Sequence, residues 1–191
     1  MRFLETVCVK RGHPLRLAWH QRRFDQTRQA HFDNPSPVSL RDLLQPPADA
    51  PLLRARILYD ADTATVTYHP YTPRPLRRLR LVHADPDYRY KYADRSALDA
   101  LFAKRAEADD VLIVRDGLLT DTTVANIAFY RDGRWFTPQT PLLPGTVRAR
   151  LLASGFLTPM DITPKALPRF RYFALMNAMI GFLVVKHGKI G

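Results

Sequence analysis

Apolar and polar residues alternate over residues 2–9. The Gly12-His13-Pro14 turn leads into a second run, Leu15 to Trp19, that reads as a strand. From His20 to Phe32 the period lengthens: Phe24 and Thr27 or Arg28 recur at helical spacing, and Pro35 and Pro37 end the helix this predicts. Ser39, with Asp42 three residues on, opens a short helix, and Pro46, Pro47 and Pro51 mark a loop. Residues 53–59 and 64–69 predict a hairpin bent at Asp60-Ala61-Asp62, and 76–84 a further strand.

Beyond Pro86 the pattern changes. Tyr88, Tyr90 and Tyr92 fall on one face of a predicted strand, which puts Arg89 and Lys91 on the other. Ser96 to Ala108 predicts an amphipathic helix through Ala97, Leu98, Leu101 and Phe102. Strands are expected at 111–115, 127–130 and 135–137, and a helix at 147–153 directly after Pro144-Gly145. Two more strands, 171–175 and 182–186, flank Asn177-Ala178-Met179. Strands outnumber helices and the helices fall between them singly, so the expected class is α+β, or mixed α/β. Two lobes are expected, a small one at 1–85 and a larger one at 86–191, with no internal repeat.

Composition narrows the function classes. With 46% hydrophobic and 25% charged residues over 191 positions, the chain reads as an ordinary soluble globular protein. No apolar run approaches the roughly 18 residues of a membrane span, and Glu5 stands where a signal peptide would continue its apolar core, so a cytoplasmic protein is expected. Cys8 is the single cysteine, which excludes intramolecular disulfides and zinc-ribbon sites. The net charge of +11 is nearly all arginine, densest at Arg74, Arg77, Arg78 and Arg80 beside Pro73 and Pro75. That cluster is short for a nucleic-acid groove; a solvated face and a field that draws in anionic small molecules both stay open.

Between Lys91 and Arg148 the chain carries, in order, the parts that a pyridoxal phosphate site needs: an amine, an acid for the pyridine nitrogen, and a loop entering a helix to hold a phosphate. Of the six lysines, Lys91 alone sits among aromatics, next to Arg89, where desolvation and repulsion lower an ammonium pKa. Spacing alone also allows an ordinary solvent-facing lysine there. Asp121 is the candidate acid, although Asp121-Thr122-Thr123 would suit a turn or a helix cap equally well. After Pro144-Gly145 the first N–H groups of a helix, at Thr146 and Val147, are available to an anion, Gly145 allows close approach, and Thr146 could add its hydroxyl.

These residues resemble the fold type IV pyridoxal phosphate enzymes, the class IV aminotransferase family of branched-chain aminotransferases, D-amino acid transaminases and aminodeoxychorismate lyases. Phe3-Leu4-Glu5-Thr6 is similar to the family's Phe-Glu-Thr with one insertion, and His20-Gln21-Arg22-Arg23 to its His-x-x-Arg. Lys91 to Arg95 resembles its lysine segment, Asp121 to Asn126 its Glu-Gly-x-x-x-Asn, and Leu143 to Arg148 its Leu-Pro-Gly-Ile-Thr-Arg. The resemblance implies a two-lobed fold like that of D-amino acid aminotransferase with the cofactor between the lobes. It implies Lys91 as the catalytic Schiff-base lysine, Arg23 pairing with the phosphate, and Asn126 organising the ring's surroundings. It also implies a loop facing the substrate at Asn177-Ala178-Met179, a small-molecule amino substrate and a homodimer. Two departures stand out: Asp121 is one methylene shorter than the usual Glu, and the usual Thr is Val147 here, with Thr146 one place earlier. Arg28 and Arg95 are candidate carboxylate binders, as is Arg148, which better suits packing or capping; His20 fits a role supporting the helix of Arg23. The spacing of Lys91 and Arg95 leans toward the lyase branch. Because the chain starts almost at the Phe-Glu-Thr element, the family's preceding strands and their pocket tyrosine are expected to be absent. A protein of this fold with lost or altered catalysis is the alternative, and a basic nucleic-acid-binding protein a more distant one.

Overall fold

The computed structural model describes residues 1–49 and 51–191; Ala50, inside the loop predicted around Pro46 to Pro51, lies outside them. The chain forms two compact units, one of Met1–Pro73 with Tyr90–Asp94 and one of Arg74–Arg89 with Arg95–Gly191. The division therefore falls earlier than residue 85, and Lys91 belongs with the first unit, not the second. The physical reason is main-chain pairing: Leu4 N–H donates to Lys91 O at 2.8 Å and Ala93 N–H to Arg2 O at 3.0 Å, which fastens the lysine segment to the first strand.

In the first unit, β1 (Phe3–Lys10), β2 (His13–Pro14), β3 (Leu52–Tyr59) and β4 (Ala64–Pro70) form an antiparallel sheet in the order β2-β1-β3-β4. Both central strands feed the core: β1 is buried at six of its eight positions, whereas β3 alternates and turns Leu53, Ala55, Ile57 and Tyr59 inward. Helix α1 (Leu17–His31) adds Phe24 to the same core. The expected strand at Leu15 to Trp19 does not form. Arg16 adopts a left-handed φ of 56° and the helix begins at once. Ser39 caps α2 (Leu40–Leu43), its side chain accepting from Asp42 N–H, as its spacing to Asp42 predicts.

The second unit contains β5 (Arg78–His83), α3 (Ser96–Ala103), β6 (Asp110–Arg115), β7 (Leu118–Thr122), β8 (Asn126–Arg131), β9 (Arg134–Pro138), α4 (Thr146–Ala153), β10 (Leu157–Met160), a 3-10 turn at Pro164–Arg169, β11 (Tyr172–Asn177), β12 (Gly181–Val185) and β13 (Lys189–Ile190). The strands run in the order β10-β9-β8-β7-β6-β5-β13, with β11 pairing both β8 and β12. β8 and β11 are covered on both faces. Ile127, Phe129, Phe173 and Leu175 enter one core, and Ala128, Ala174 and Met176 the other, with Val147 and Leu151 of α4. Period-two alternation thus yields a continuous apolar run instead of a half-polar strand. α3 stops at Ala103, short of the predicted Ala108, because Ala106 turns left-handed at φ 51° to feed β6.

Candidate active site

Asp121 lies near the end of β7 and Asn126 opens β8 opposite it. The four residues between them turn tightly: Thr122 Oγ1 accepts from Ala125 N–H at 3.0 Å, and Thr122 N–H donates to Ala125 O at 2.9 Å. Three side chains tie this turn to its surroundings. Thr123 Oγ1 donates to the buried Asp110 Oδ1 at 2.8 Å, Arg95 Nη2 donates to Thr123 O at 2.9 Å, and Asn177 Nδ2 donates to Val124 O at 3.1 Å. Asp121 and Asn126 are therefore carried on a fixed frame.

Their side chains also reach the loop before α4. Asp121 Oδ1 accepts from Asn126 Nδ2 at 2.9 Å and Oδ2 from Leu143 N–H at 3.0 Å, while the same Asn126 nitrogen donates to Leu143 O at 2.9 Å. Asp121 is buried and forms no ion pair among the described residues. Burial pushes its carboxyl up to about 6, against the opposing pull of the Asn126 and Leu143 hydrogen bonds and the Arg148 charge. The main chain of Leu142 adds a further hydrogen bond to the same carboxyl.

Gly145 precedes the first turn of α4 and brings no side chain to cap it. A Cβ at 145 would overlap Asn126 Oδ1. The glycine's first use is thus to admit the Asn126 amide, whereas the sequence suggested the approach of an anion. Thr146 and Val147 follow, both buried. The structure so brings together Asp121, Asn126, Gly145, Thr146 and Val147 in the second unit.

Arg23 and Lys91 lie in the first unit, and both attach to β1. Arg23 grips Glu5 with two parallel bonds, Nε to Oε1 and Nη2 to Oε2, each 2.7 Å. His20 Nδ1 is 2.8 Å from Glu5 Oε2. Burial opposes Glu5's ionisation, but the Arg23 charge and the hydrogen bonds from His20 and Arg23 outweigh it and hold the carboxyl at about 2. Burial lowers the pKa of His20, so a neutral ring donates from Nδ1. The predicted support of Arg23's helix by His20 therefore runs through Glu5. The Lys91 segment is not the regular strand expected from Tyr88 to Tyr92: it makes a single bridge, Tyr92 opposite Phe3, and Tyr88 belongs to the other unit. Tyr90 packs edge-on to His31 with centroids 4.3 Å apart, and Tyr92 lies 5.5 Å from Phe3, which anchors the half-buried Lys91 on both sides.

The candidate carboxylate-binding arginines have main-chain duties. Arg28 is buried and donates to the carbonyls of Asp60, Ser36 and Ala61. Arg148, also buried, donates to Pro138 O at 2.8 Å and Gln139 O at 3.3 Å, the packing role its position suggested. Arg95 spans Thr123 O and the Tyr88 hydroxyl. Glu5, Asp110 and Asn177 were not given these roles by the sequence. Asn177 Oδ1 also accepts from Met179 and Ile180 N–H, which shapes the loop predicted to face a substrate. Among the described residues no cluster of His, Cys, Asp or Glu could hold a metal.

A buried carboxylate with no salt bridge among the described residues, beside helix amides that no side chain caps, fits the ring nitrogen and phosphate of pyridoxal phosphate. The family model for amino-transferase class IV matches residues 2–187. An uncharacterized Haemophilus influenzae protein is 33% identical over 183 residues, 93% of this chain and 97% of the relative. A crystal structure from Haemophilus somnus, called a "putative 4-amino-4-deoxychorismate lyase", is 28% identical with a TM-score of 0.87, covering 94% of this chain and 97% of that one. The pyridoxal phosphate-bound form of a hypothetical aminotransferase from Mycobacterium tuberculosis, 19% identical, shares the fold with a TM-score of 0.79 over 96% of this chain and 80% of its own. The chain belongs to the class IV aminotransferases, a family whose members bind pyridoxal phosphate.

Proposed function

We propose that this protein is a pyridoxal phosphate-dependent enzyme that acts on a small amino substrate through Lys91, with an aminodeoxychorismate-type lyase favoured over a transaminase. The observation that carries the reading is the bonded triangle of Asp121, Asn126 and Leu143 at the entrance to α4, with its carboxyl pushed up to about 6 and no cation paired to it. Asp121 would hold its negative charge against the ring nitrogen, and Asn126 would keep that carboxylate and the 143–147 loop in one register. The amides of Thr146 and Val147 would bind the phosphate, with the Thr146 hydroxyl beside them. Lys91 would hold the cofactor covalently and, once released by the substrate amine, carry the proton from the substrate Cα on its Nζ. When bound, the cofactor supplies an electron sink for the charge left on that carbon. Arg23 would contribute to the phosphate site while Glu5 fixes its orientation. The lyase preference rests on the 28% identical relative and on the Lys91 and Arg95 spacing. We read the working form as a homodimer, which light scattering on the eluting protein tests.

An absorbance spectrum of the purified protein with added pyridoxal phosphate, before and after borohydride, tests the reading. A visible band that borohydride fixes to the wild type and not to Lys91→Ala is expected, followed by pyruvate release from aminodeoxychorismate. Absence of the band in both proteins would overturn the cofactor assignment. A fixed band without turnover of any amino donor would leave a cofactor-binding protein with altered catalysis.

A further inference from the structure

The densest arginine cluster of the sequence plays no part in the site above, and it borders a groove of its own. The groove, about 520 Å³, lies in the second unit and is lined by Pro75, Arg77, Arg78, Asp109, His187 and Lys189. That volume is within the roughly 300–1,000 Å³ of small-molecule sites.

Main-chain hydrogen bonds hold its frame, while Arg77, Arg78, His187 and Lys189 are exposed. Asp109 Oδ2 accepts from the main-chain N–H of Arg77 at 2.7 Å and of Arg78 at 2.8 Å, and Asp109 N–H donates to Arg78 O at 2.8 Å. Lys189 N–H donates to Arg77 O at 2.9 Å, where β13 runs parallel to the start of β5. The amides of Arg78 and Arg77 hold the Asp109 carboxyl below the usual range, so the groove's one acid is committed to the main chain. The guanidinium groups of Arg77 and Arg78 and the ammonium of Lys189 form no salt bridge among the described residues. Arg74, stacked 5.3 Å over Phe102, and Arg80, bonded to Lys104 O, add charge nearby. Two guanidinium groups, an ammonium and an imidazole thus line the groove with one carboxylate, on a scaffold that does not depend on those side chains.

We propose that this groove is a binding site for small organic phosphates carrying more than one negative charge, of the size and class of nucleoside di- and triphosphates. Guanidinium forks match phosphate oxygens two at a time, and the ammonium of Lys189 supplies a point charge. Pro75 and the alkyl stems of the arginines give an apolar wall for the organic part.

The test is a calorimetric titration of ATP, with adenosine as the uncharged control, into the full chain with and without saturating pyridoxal phosphate. The expected result is ATP binding that added salt weakens, that pyridoxal phosphate leaves unchanged, and that Arg77→Ala/Arg78→Ala lowers by about tenfold or more. The double variant should unfold at the wild-type temperature, because Asp109 bonds main-chain amides that both substitutions keep. No binding at millimolar ATP, or equal affinity in the double variant, would overturn the proposal. Displacement of ATP by pyridoxal phosphate in the Arg77→Ala/Arg78→Ala variant as fully as in the wild type would assign the anion to the α4 amides and overturn it too. A single-stranded oligonucleotide binding through the same arginines far more tightly than ATP would replace the small ligand with a polynucleotide. Because the groove and the cofactor residues are different, either assignment can fail without the other.

Discussion

Glu5 and Asp121 are both buried carboxylates, one in each unit, and their surroundings drive them in opposite directions. Glu5 faces the guanidinium of Arg23 and the imidazole of His20 and is held at about 2. Asp121 accepts hydrogen bonds from neutral donors, the Asn126 amide and the main chain of Leu142 and Leu143, and burial outweighs these and the more distant Arg148 charge and pushes it up to about 6. The first is an anion already satisfied, and its work is to aim Arg23. The second has paid its desolvation cost without a salt bridge to offset it, which is the condition for a site that waits for a cationic ring. Burial alone does not mark a functional carboxylate; the missing cation does.

The largest effect expected from breaking this contrast is in the first unit. Glu5→Gln removes the charge that both Arg23 and His20 bond and should cost about 3 kcal/mol, read as a lower denaturant midpoint at unchanged slope. The pH dependence separates the two acids by sign. Glu5 contributes stability that is present above its ordinary value of 4.5 and is lost as pH falls toward about 2. Asp121 favours the protonated form in the fold, so its contribution is fully present below 3.8 and declines as pH rises through about 6. Each window corresponds to about 3 kcal/mol. Denaturation of the cofactor-free protein between pH 4 and 6 should therefore show a decline that Asp121→Asn reduces, the rest coming from Asp110, whose carboxyl burial also pushes up. Gly145→Ala drives a Cβ into Asn126 and should cost about 2 kcal/mol while displacing the amide. Asn126→Ala removes bonds to Asp121 and to Leu143 O, and about 1 kcal/mol of stability is the smallest change expected, measured by the same denaturation.

Some of this was legible in the residues and some was not. Asp132-Gly133 joins β8 to β9, and both residues are left-handed, at φ 52° and 78°. Asp116-Gly117 has the same signature, at 52° and 76°, and joins β6 to β7. Reading that dipeptide as a hairpin would have placed Asp121 on a strand directly. β10 and β13 span only four and two residues and pair with strands distant in sequence, so no local period announces them. The tyrosine alternation at Tyr88, Tyr90 and Tyr92 is a true period of two in the sequence, but Tyr88 packs in one unit and Tyr90 and Tyr92 in the other. Arg28 and Arg148 show what a sequence conceals most readily. A guanidinium that binds main-chain carbonyls inside a fold has the same letter as one that waits for a substrate. The Asp121 to Asn126 spacing and the Pro-Gly entrance to α4 were legible because both are local motifs; the bonds joining them through Leu143 are not.

The most direct test of the account is a carbon-detected NMR titration of the Asp121 carboxyl, assigned by comparison with Asp121→Asn, without and with pyridoxal phosphate. A midpoint near 6 in the free protein that falls well below its ordinary range once the cofactor is bound would show the carboxylate acquiring its cation. A midpoint unmoved by saturating cofactor would contradict the role assigned to Asp121.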